Sequence, residues 1–343
     1  MPDTAQKQHD DTDIDLVLEG GGVKGVGLIG AVLEVERSGF RIRRVAGTSA
    51  GAIAAALIAA NLAAGAPLTN VKDQIATIDY SAFTTESTVR KLSGKLGDFQ
   101  ALMTTMGLYS GDYLVEWLGG ILESIGITTF GQLRRDDLGD AFPYSLVVHT
   151  TDITLGKLVR LPGDYANYRM DPDAARIVDA VRASMAIPFF FEPVQHQIAP
   201  TGSGADAADT EPLTVTWVDG GLLSNFPMEV FNDRSNGAVV DPWPTIGVKL
   251  ADQQAALALP EATSGPFDET IRIFKTVLNN SNRYFITPEK ARSTIFVDSA
   301  GINATDFDIT AEESAMLFAN GQQAATAWLA ELEKFGRTRP APT

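Results

Sequence analysis

The sequence contains no cysteine and only three histidines, His9, His149 and His196. The absence of cysteine excludes disulfide bonds, a catalytic thiolate and zinc–sulfur sites. Basic residues are also scarce, with 27 Lys and Arg against 43 Asp and Glu, which gives a formal net charge of −16. Nucleic acids and anionic membranes attract clusters of basic residues. We therefore expect no nucleic-acid partner and no polybasic membrane contact, while peripheral contact of an apolar patch with lipid stays open.

The sequence also lacks a convincing transmembrane segment. Residues 45–71 carry no charge, but the run is rich in alanine, includes Asn61 and ends near Gly65. A helix that is apolar on every side is equally typical of a helix buried in a large core. The polar residues 1–13 have neither an apolar centre nor a small-residue cleavage site, so we predict a disordered tail rather than a signal peptide. We expect a cytoplasmic protein, with export by a non-classical route as the alternative.

With 343 residues, of which 45% are hydrophobic, the chain is long enough for one large domain. Residues 14–64 are predicted to form strand, helix, strand and helix, which is typical of a parallel sheet with right-handed crossovers. We predict one α/β domain over residues 14–335, with a helical insertion at about 70–140, a flexible loop at 200–212 and a tail at 336–343. Further strands are predicted at 143–150, 157–161, 213–218, 246–250 and 293–297, and helices at 113–125, 174–185, 270–282 and 311–332.

Helix 113–125 has an apolar stripe at helical spacing. Such a stripe predicts packing against a core, and a lid over the functional site is the alternative. The two strands at 143–150 and 157–161 are predicted to form a hairpin, because turn-forming residues separate them.

Two glycine-rich turns follow the first two predicted strands. The second has the G-x-S-x-G form of a nucleophile elbow, in which Gly47 and Gly51 flank Ser49. Small neighbours allow a strained turn between a strand and a helix, and a helix N-terminus favours negative charge on oxygen. A serine that only caps the helix is the alternative explanation.

The first turn consists of residues 20–25, Gly-Gly-Gly-Val-Lys-Gly. Its N–H groups would stabilise the oxyanion that forms when a serine attacks a carbonyl. The same residues match the G-x-G-x-x-G fingerprint of dinucleotide-binding folds, which expects an acidic residue after the second strand. That residue is missing here, although Arg43 or Arg44 would suit a 2′-phosphate. Binding of NADP or phosphate, and a plain tight turn, are therefore the alternatives.

A serine nucleophile needs a base, and the sequence offers two candidates. One is a Ser-His-Asp triad of Ser49, His196 and Asp152. Against it, His196 lies beside the predicted loop at 200–212, where a solvated histidine is expected, and His149 at a strand end is more typical of a structural residue.

The second candidate is Asp219, which leaves a predicted strand directly into Gly220 and Gly221. If all strands are parallel, its carboxylate emerges at the edge of the sheet that also holds Ser49 and the first glycine turn. An aspartate that only organises a turn is the alternative for this residue taken alone.

These motifs, in this order, resemble the patatin-like phospholipase family. The resemblance rests on residues 20–25, 47–51 and 219–221, together with Arg-Ala-Ser-Met-Ala-Ile-Pro at 182–188 and Leu-Leu-Ser-Asn-Phe-Pro at 222–227. It spans roughly residues 15–232. The family likeness implies a three-layer α/β/α sandwich, in which helices cover both faces of a mainly parallel central sheet.

The resemblance also implies a catalytic dyad in place of a triad. Ser49 would be the nucleophile and Asp219 the base, and the oxyanion hole would be formed by backbone N–H groups, chiefly those of Gly21 and Gly22. The motif that supplies this hole consists of Gly20, Gly21, Gly22, Lys24 and Gly25, where Lys24 occupies a position that is usually Arg or Lys. The implied activity is hydrolysis of ester bonds in phospholipids or related lipids through an acyl-serine intermediate, without a metal or another cofactor.

Overall fold

The computed structural model describes residues 12–84, 109–139, 141–198, 211–232, 243–251, 276, 287–304, 306 and 308–334. The predicted tails and the predicted loop at 200–212 lie almost entirely outside these residues, as do most of helix 270–282 and part of the insertion at 70–140. The predicted domain boundaries at 14 and 335 stay a prediction.

A mixed sheet of eight strands forms the centre of the described structure. Its strands are β1 (Asp13–Leu18), β2 (Arg41–Thr48), β3 (Leu146–Asp152), β4 (Lys157–Leu161), β5 (Val194–Ile198), β6 (Leu213–Asp219), β7 (Thr245–Ala251) and β8 (Thr294–Asp298). The spatial order is β5-β6-β3-β2-β1-β7-β8, with β4 paired to β3. Within these residues, only β4 and β6 run against the other strands. The antiparallel pairing of β3 and β4 confirms the hairpin predicted for the strands at 143–150 and 157–161.

Helices and short turns flank this sheet. The helices are α1 (Gly25–Arg37), α2 (Ala50–Ala63), α3 (Thr69–Ala76), α4 (Asp112–Ile125), α5 (Ile177–Ser184), α6 (Gly221–Ser224), α7 (Pro288–Arg292) and α8 (Ala311–Lys334). Alternate residues of the parallel strands face opposite ways: Leu16 and Leu18 join the large core beneath α1 and α2, whereas Val17 packs against Phe231 on the other face. The predicted α/β architecture, a mainly parallel central sheet between helices, is confirmed.

The uncharged run that begins at residue 45 is a buried crossover, as expected. It contains the end of β2 and helix α2, which is buried from Ala50 to Asn61 on every side. No helix among the described residues is long and apolar enough to cross a membrane.

Helix α4 packs as part of the core. Leu114, Leu118 and Leu122 are at most 1% exposed, and the helix contacts α2 and α5. Trp117 Nε1 also donates a hydrogen bond to Thr77 Oγ1 at 2.9 Å. These contacts agree with the interpretation of its apolar stripe as core.

Strands β2 and β6 meet end to end along one edge of β3. β2 pairs with the first half of β3 and β6 with its last three residues, while β4 occupies the opposite edge. Thr48 of β2 lies opposite His149, and Asp219 of β6 lies opposite the next residue, Thr150. The assumption that all strands are parallel is therefore wrong for β6. The antiparallel register still delivers Asp219 to the edge where β2 ends.

Candidate active site

Ser49 lies in the turn between β2 and α2 and adopts a backbone conformation with φ 54° and ψ −127°. A residue other than glycine at positive φ is strained, and the surrounding structure must hold it there. The side chain makes no capping hydrogen bond to α2, so Ser49 does not act as an ordinary helix cap. It is 6% exposed, and its Oγ lies 3.5 Å from Sδ of Met185. This geometry is that of a nucleophile elbow.

Gly47 and Gly51 allow the strand and helix of the elbow to approach closely. A Cβ atom on Gly47 would lie 2.1 Å from the carbonyl oxygen of Gly51, and one on Gly51 would lie 2.4 Å from the carbonyl oxygen of Leu18. A side chain at Gly47 would therefore push α2 away from the end of β2, and one at Gly51 would push the turn away from the end of β1.

The loop after β1, which contains Gly20, Gly21 and Gly22, lies beside Ser49. A Cβ atom on Gly20 would lie 3.1 Å from the Cβ of Ser49, so the loop passes directly alongside it. Within the described part of the chain, the N–H groups of Gly21 and Gly22 donate to no protein acceptor, whereas that of Gly20 donates to the carbonyl oxygen of Asn225 at 3.1 Å. Free N–H groups in this position are suited to binding an oxyanion.

Residues from distant parts of the chain hold the rest of this loop. The carbonyl oxygen of Ala304 accepts the N–H of Val23 at 3.2 Å. Gly22 has φ 57°, and a Cβ atom there would lie only 1.8 Å from the same oxygen, so no other residue fits. Gly25, where α1 begins, packs against Ala50, the residue after Ser49. The loop is thus fixed from both sides.

Asp219 is the candidate base, and it is only 2% exposed. Its Oδ1 accepts the N–H of Gly221 at 2.7 Å. Burial raises the pKa of Asp219 to about 7, against the opposing effects of this hydrogen bond and of the nearby Ser49 side chain. Gly220 packs tightly on the backbone of His149, which fixes the turn. A carboxylate with a pKa near neutral pH is a suitable general base.

The turn that follows Asp219 connects the base to the other two parts of the site. Thr48 Oγ1 donates to the carbonyl oxygen of Ser224 at 3.0 Å, which ties this turn to the end of β2. Asn225 Nδ2 donates to the carbonyl oxygen of Gly20 at 3.1 Å and so returns the hydrogen bond that Gly20 donates to Asn225. One short segment therefore positions the base, the elbow and the glycine loop together.

The C-terminal end of α5 holds both candidate catalytic residues by their backbones. The N–H of Ser49 donates to Oγ of Ser184 at 2.8 Å. The N–H of Asp219 donates to the carbonyl oxygen of Ala186, also at 2.8 Å. Residues 182–188 and 222–227 contribute to the family resemblance of the sequence, but the sequence alone assigns no role to Ser184, Ala186 or Asn225.

Glu19 anchors the start of the glycine loop to β7. It was not among the site residues predicted from the sequence. It is 3% exposed, forms an ion pair with Lys249, and accepts the N–H of Leu250 at 2.7 Å. Burial raises the pKa of Glu19, and the charge and hydrogen bond of Lys249 oppose this increase. Lys24, the charged residue of the glycine loop, adds a smaller opposing effect.

The structure does not assemble the alternative Ser-His-Asp triad. His196 lies in β5, where the sequence predicted a loop, and its ring packs 4.3 Å from that of Trp217. It pairs with β6 four residues, roughly 13 Å, away from Asp219. Asp152 accepts hydrogen bonds from N–H groups of its own turn and from the Tyr168 hydroxyl at 2.8 Å.

His149 fits the structural role that the sequence suggested. It is 1% exposed, and within the described residues neither ring nitrogen has a hydrogen-bond partner. Burial lowers its pKa to about 3, so the ring is neutral at pH 7. The described residues also contain no group of three or more acidic or histidine side chains placed to hold a metal.

The arginines considered for a 2′-phosphate are engaged elsewhere. Arg44 forms a buried ion pair with Asp15 and lies over three aromatic rings, and Arg43 pairs with Asp137. β2 continues to Thr48, so both arginines lie in the amino-terminal half of that strand. Neither reaches the carboxyl edge where a dinucleotide would bind.

Comparison with known proteins assigns the chain to a family. A family model described as patatin-like phospholipase matches residues 16–232. The uncharacterized protein YqhO of Bacillus subtilis is 33% identical over 310 residues, which cover 90% of this chain and 96% of that protein. An uncharacterized NTE family protein of Mycobacterium bovis is 26% identical over 227 residues, which cover 66% of this chain and only 29% of that protein. Among solved structures, VipD from Legionella pneumophila matches with a TM-score of 0.49 and 17% identity, over 93% of this chain and 67% of that one. The chain therefore belongs to the patatin-like phospholipase family, and this membership supports a lipid-hydrolysing function.

Proposed function

We propose that this protein is a serine hydrolase of lipid carboxylic esters, with Ser49 as the nucleophile and Asp219 as the base. The observation that carries the proposal is the position of Ser49. Thr48, the residue before it, and Asp219 lie opposite neighbouring residues of β3. Ser49 also lies beside the loop of Gly21 and Gly22, whose N–H groups have no acceptor among the described residues. Nucleophile, base and oxyanion donors are then all present without a histidine.

In the first half of the reaction, Asp219 takes the proton of the Ser49 hydroxyl while Oγ attacks the ester carbonyl carbon. The carbonyl oxygen becomes an oxyanion, which the N–H groups of Gly21 and Gly22 stabilise. The bond from carbon to the alcohol oxygen then breaks, and protonated Asp219 gives its proton to that oxygen. The products are a free alcohol and acyl-Ser49.

In the second half, Asp219 takes a proton from a water molecule that attacks the acyl-serine. The tetrahedral intermediate uses the same two N–H donors. It collapses with release of the carboxylic acid, and the proton on Asp219 returns to Oγ of Ser49. The pKa of about 7 suits Asp219 to both directions of proton transfer near neutral pH.

Family membership and the surroundings of Ser49 support a lipid substrate. The matching family model is that of phospholipases, and the cavity beside Ser49 is lined mainly by apolar side chains. We infer ester bonds of phospholipids or related lipids as the target. Contact of the protein with a membrane surface follows as an expectation from such a substrate.

The decisive experiment measures p-nitrophenyl ester hydrolysis and covalent labelling by a fluorophosphonate for the wild type, Ser49→Ala, Asp219→Asn and His196→Ala. We expect Ser49→Ala to lose both labelling and hydrolysis. Asp219→Asn should lose hydrolysis by a factor of at least about 10³, because the base is removed. His196→Ala should retain wild-type activity, since its ring packs on Trp217 away from Asp219.

Loss of activity in His196→Ala with retention in Asp219→Asn would contradict the dyad. Tight binding of NADP(H) by a wild type that the fluorophosphonate does not label would instead favour the nucleotide-binding alternative for the glycine loop. Hydrolysis of defined phospholipids and lysophospholipids by the active protein then identifies the natural bond.

A further inference from the structure

A second cavity lies at the end of α2 that is remote from the candidate active site. It has a volume of about 210 Å³ and lies between α2, the amino-terminal part of β2 and residues 132–135. Leu62, which lines it, lies about 18 Å along the helix axis from Ala50, the first residue of α2. Leu62 is 37% exposed, so the cavity can be entered from solvent beside it. This cavity is therefore separate from the surroundings of Ser49.

One side of this cavity is apolar. A ligand that places a hydrocarbon group there gains free energy from the area that it removes from water. The apolar residues of this side come from β2, α2 and the segment after α4, and all are at most 7% exposed, namely Ile42, Val45, Ala59 and Leu133.

Arg43 joins the lining through an irregularity of β2. Ile14 of β1 lies opposite Ile42, whereas the next residue, Asp15, lies opposite Arg44. Arg43 is thus the extra residue of a β-bulge, and a bulge changes the direction of a side chain relative to the normal alternation along a strand. Arg43 lines the cavity beside Ile42 as a result.

The other side of the cavity is cationic. Arg43 and Arg135 both belong to its lining, and both form ion pairs with Asp137. A guanidinium has five N–H donors. Asp137 takes one donor of Arg43 and two of Arg135, and the described part of the chain contains no further hydrogen bond from either guanidinium. The two arginines therefore retain donors for a second anion.

The remaining polar residues of the lining are already hydrogen-bonded. Gln132 accepts the N–H of Thr129 at 3.0 Å through Oε1, and its Nε2 donates to the carbonyl oxygen of Gly126 at 2.8 Å. Ser145 Oγ donates to the carbonyl oxygen of Leu133 at 3.2 Å. The donors available to a ligand thus belong to the two arginines, whose fork geometry matches a carboxylate. A ligand that fits has one anionic end and one apolar end.

We propose that this cavity binds a small amphiphilic carboxylate, which pairs with Arg43 and Arg135 and places its hydrocarbon chain against the apolar side. A cavity of roughly 150 Å³ holds benzene, so the larger volume here suits a chain of about six carbons, as in hexanoate. Carboxylic acids are also the class of product that the proposed reaction releases. The site itself does not depend on the role of Ser49.

The test is an NMR titration of the protein with hexanoate, acetate and hexanol. We expect hexanoate to bind at least about tenfold more tightly than the other two, because acetate lacks the chain and hexanol lacks the charge. The signals of Ala59 and Leu62 should shift. Ser49→Ala should bind hexanoate as the wild type does, so a failure of the proposed function would leave this result unchanged.

Variants of the charged residues test the carboxylate end. Arg135→Gln should weaken hexanoate binding at least about tenfold. Arg134→Gln is the matched control, because Arg134 is the adjacent residue, pairs with Asp173 and does not line the cavity. Asp137→Asn should instead tighten binding by at least about threefold, since it removes the carboxylate that competes for the two guanidinium groups.

A pair of variants at the end of α2 tests the position of the site. Ala63 is exposed where it lines the cavity, so Ala63→Phe should fill the entrance and weaken hexanoate binding at least about tenfold. Ala64→Phe is the control, because Ala64 is also exposed but does not line the cavity. Equal binding of acetate or hexanol, or a hexanoate affinity that is unchanged in Arg135→Gln or in Ala63→Phe, would overturn the site.

Discussion

At the scale of single residues, the central feature is a carboxyl group that the protein buries. Asp219 has a pKa of about 7 because burial penalises its charged form more than the Gly221 N–H and the nearby Ser49 side chain favour it. A base must be deprotonated to accept the proton of Ser49. The fraction of active protein therefore falls as pH decreases through the pKa of Asp219.

This predicts a pH–rate profile in which kcat/KM is constant above about pH 7 and falls about tenfold for each pH unit well below it. The measurement is ester hydrolysis from pH 5 to pH 9 on protein that is folded throughout. Burial lowers the pKa of His196 below its ordinary value of 6.5. If that group controlled the rate, the decline would begin at lower pH and would disappear in His196→Ala, which would contradict Asp219 as the base.

Ser184 holds the backbone of Ser49 through a buried hydrogen bond. It is fully buried, and its Oγ accepts the N–H of Ser49, whose backbone has an unfavourable positive φ. Without this acceptor the N–H would be buried with no partner, which costs about 1–3 kcal/mol. The elbow would relax, and Oγ of Ser49 would move relative to Asp219.

We therefore predict that Ser184→Ala lowers kcat by about tenfold to a hundredfold with little change in KM, since positioning affects the reaction more than substrate binding. Ser145→Ala is the matched control, because Ser145 is also buried and its hydroxyl donates a hydrogen bond to the carbonyl oxygen of Leu133. Both variants should lose similar stability in urea unfolding. A kcat that decreases equally in both would show that Ser184 is merely structural.

Sequence patterns predicted the candidate catalytic residues but not the residues that hold them in place. Ser49 and the two glycine turns have recognisable local spacing, and Asp219 follows a strand into two glycines. The contact between Ser184 and Ser49 joins residues 135 positions apart, and no local pattern encodes such a pairing. The same limit applies to Glu19, whose partner Lys249 lies 230 positions away.

At the scale of secondary-structure elements, alternation of apolar residues predicted the strands but not their direction. β6 was expected to run parallel to β2, yet it is antiparallel to β3 and meets β2 end to end. Direction depends on the path of the connecting chain, which composition does not specify. β5 was missed for another reason: its burial alternates only between half-buried and exposed, because it is an edge strand.

Helices α1 and α8 contact each other through glycines, and this gives an element-scale prediction. A Cβ atom on Gly30 would lie 2.1 Å from the carbonyl oxygen of Phe318 in α8. Alanine normally stabilises a helix relative to glycine by about 0.5–1 kcal/mol. At Gly30 the backbone of α8 leaves no room, so Gly30→Ala should destabilise the protein by about 1–3 kcal/mol.

Gly120 in α4 provides the opposite case within the same protein. It is exposed, and a Cβ atom there would meet nothing within 4 Å. Gly120→Ala should therefore raise the free energy of unfolding by about 0.5–1 kcal/mol. Urea denaturation of both variants measures the two effects. A stabilising Gly30→Ala would contradict the close helix contact.

At the scale of the whole molecule, parts of the chain beyond the family match complete the site. The match ends at residue 232. Leu250 and Lys249 of β7 hold Glu19, and Ala304 holds Val23, so both sides of the glycine loop depend on later segments. The candidate site therefore depends on the part of the sheet that follows β1 in spatial order, which consists of β7 and β8.

The buried carboxyl group of Asp219 also affects the stability of the whole protein, and this effect depends on pH. The pKa of Asp219 is raised from 3.8 to about 7 on folding, so the folded state retains a proton that the unfolded state has lost between these values. The free energy of unfolding therefore decreases as pH rises through this window, by up to about 4 kcal/mol from this residue. Asp219→Asn removes the titrating group and should abolish this contribution.

We predict that Asp219→Asn is more stable relative to the wild type at pH 8 than at pH 4, although it is inactive at both. The measurement is the difference in unfolding free energy between the two proteins, from urea titrations at intervals across this range. The difference should grow in favour of the variant from about pH 4 and become constant above about pH 7. A constant difference across the whole range would mean that the pKa of Asp219 is not raised on folding. Burial of this carboxyl group would then not lower the stability of the protein at neutral pH.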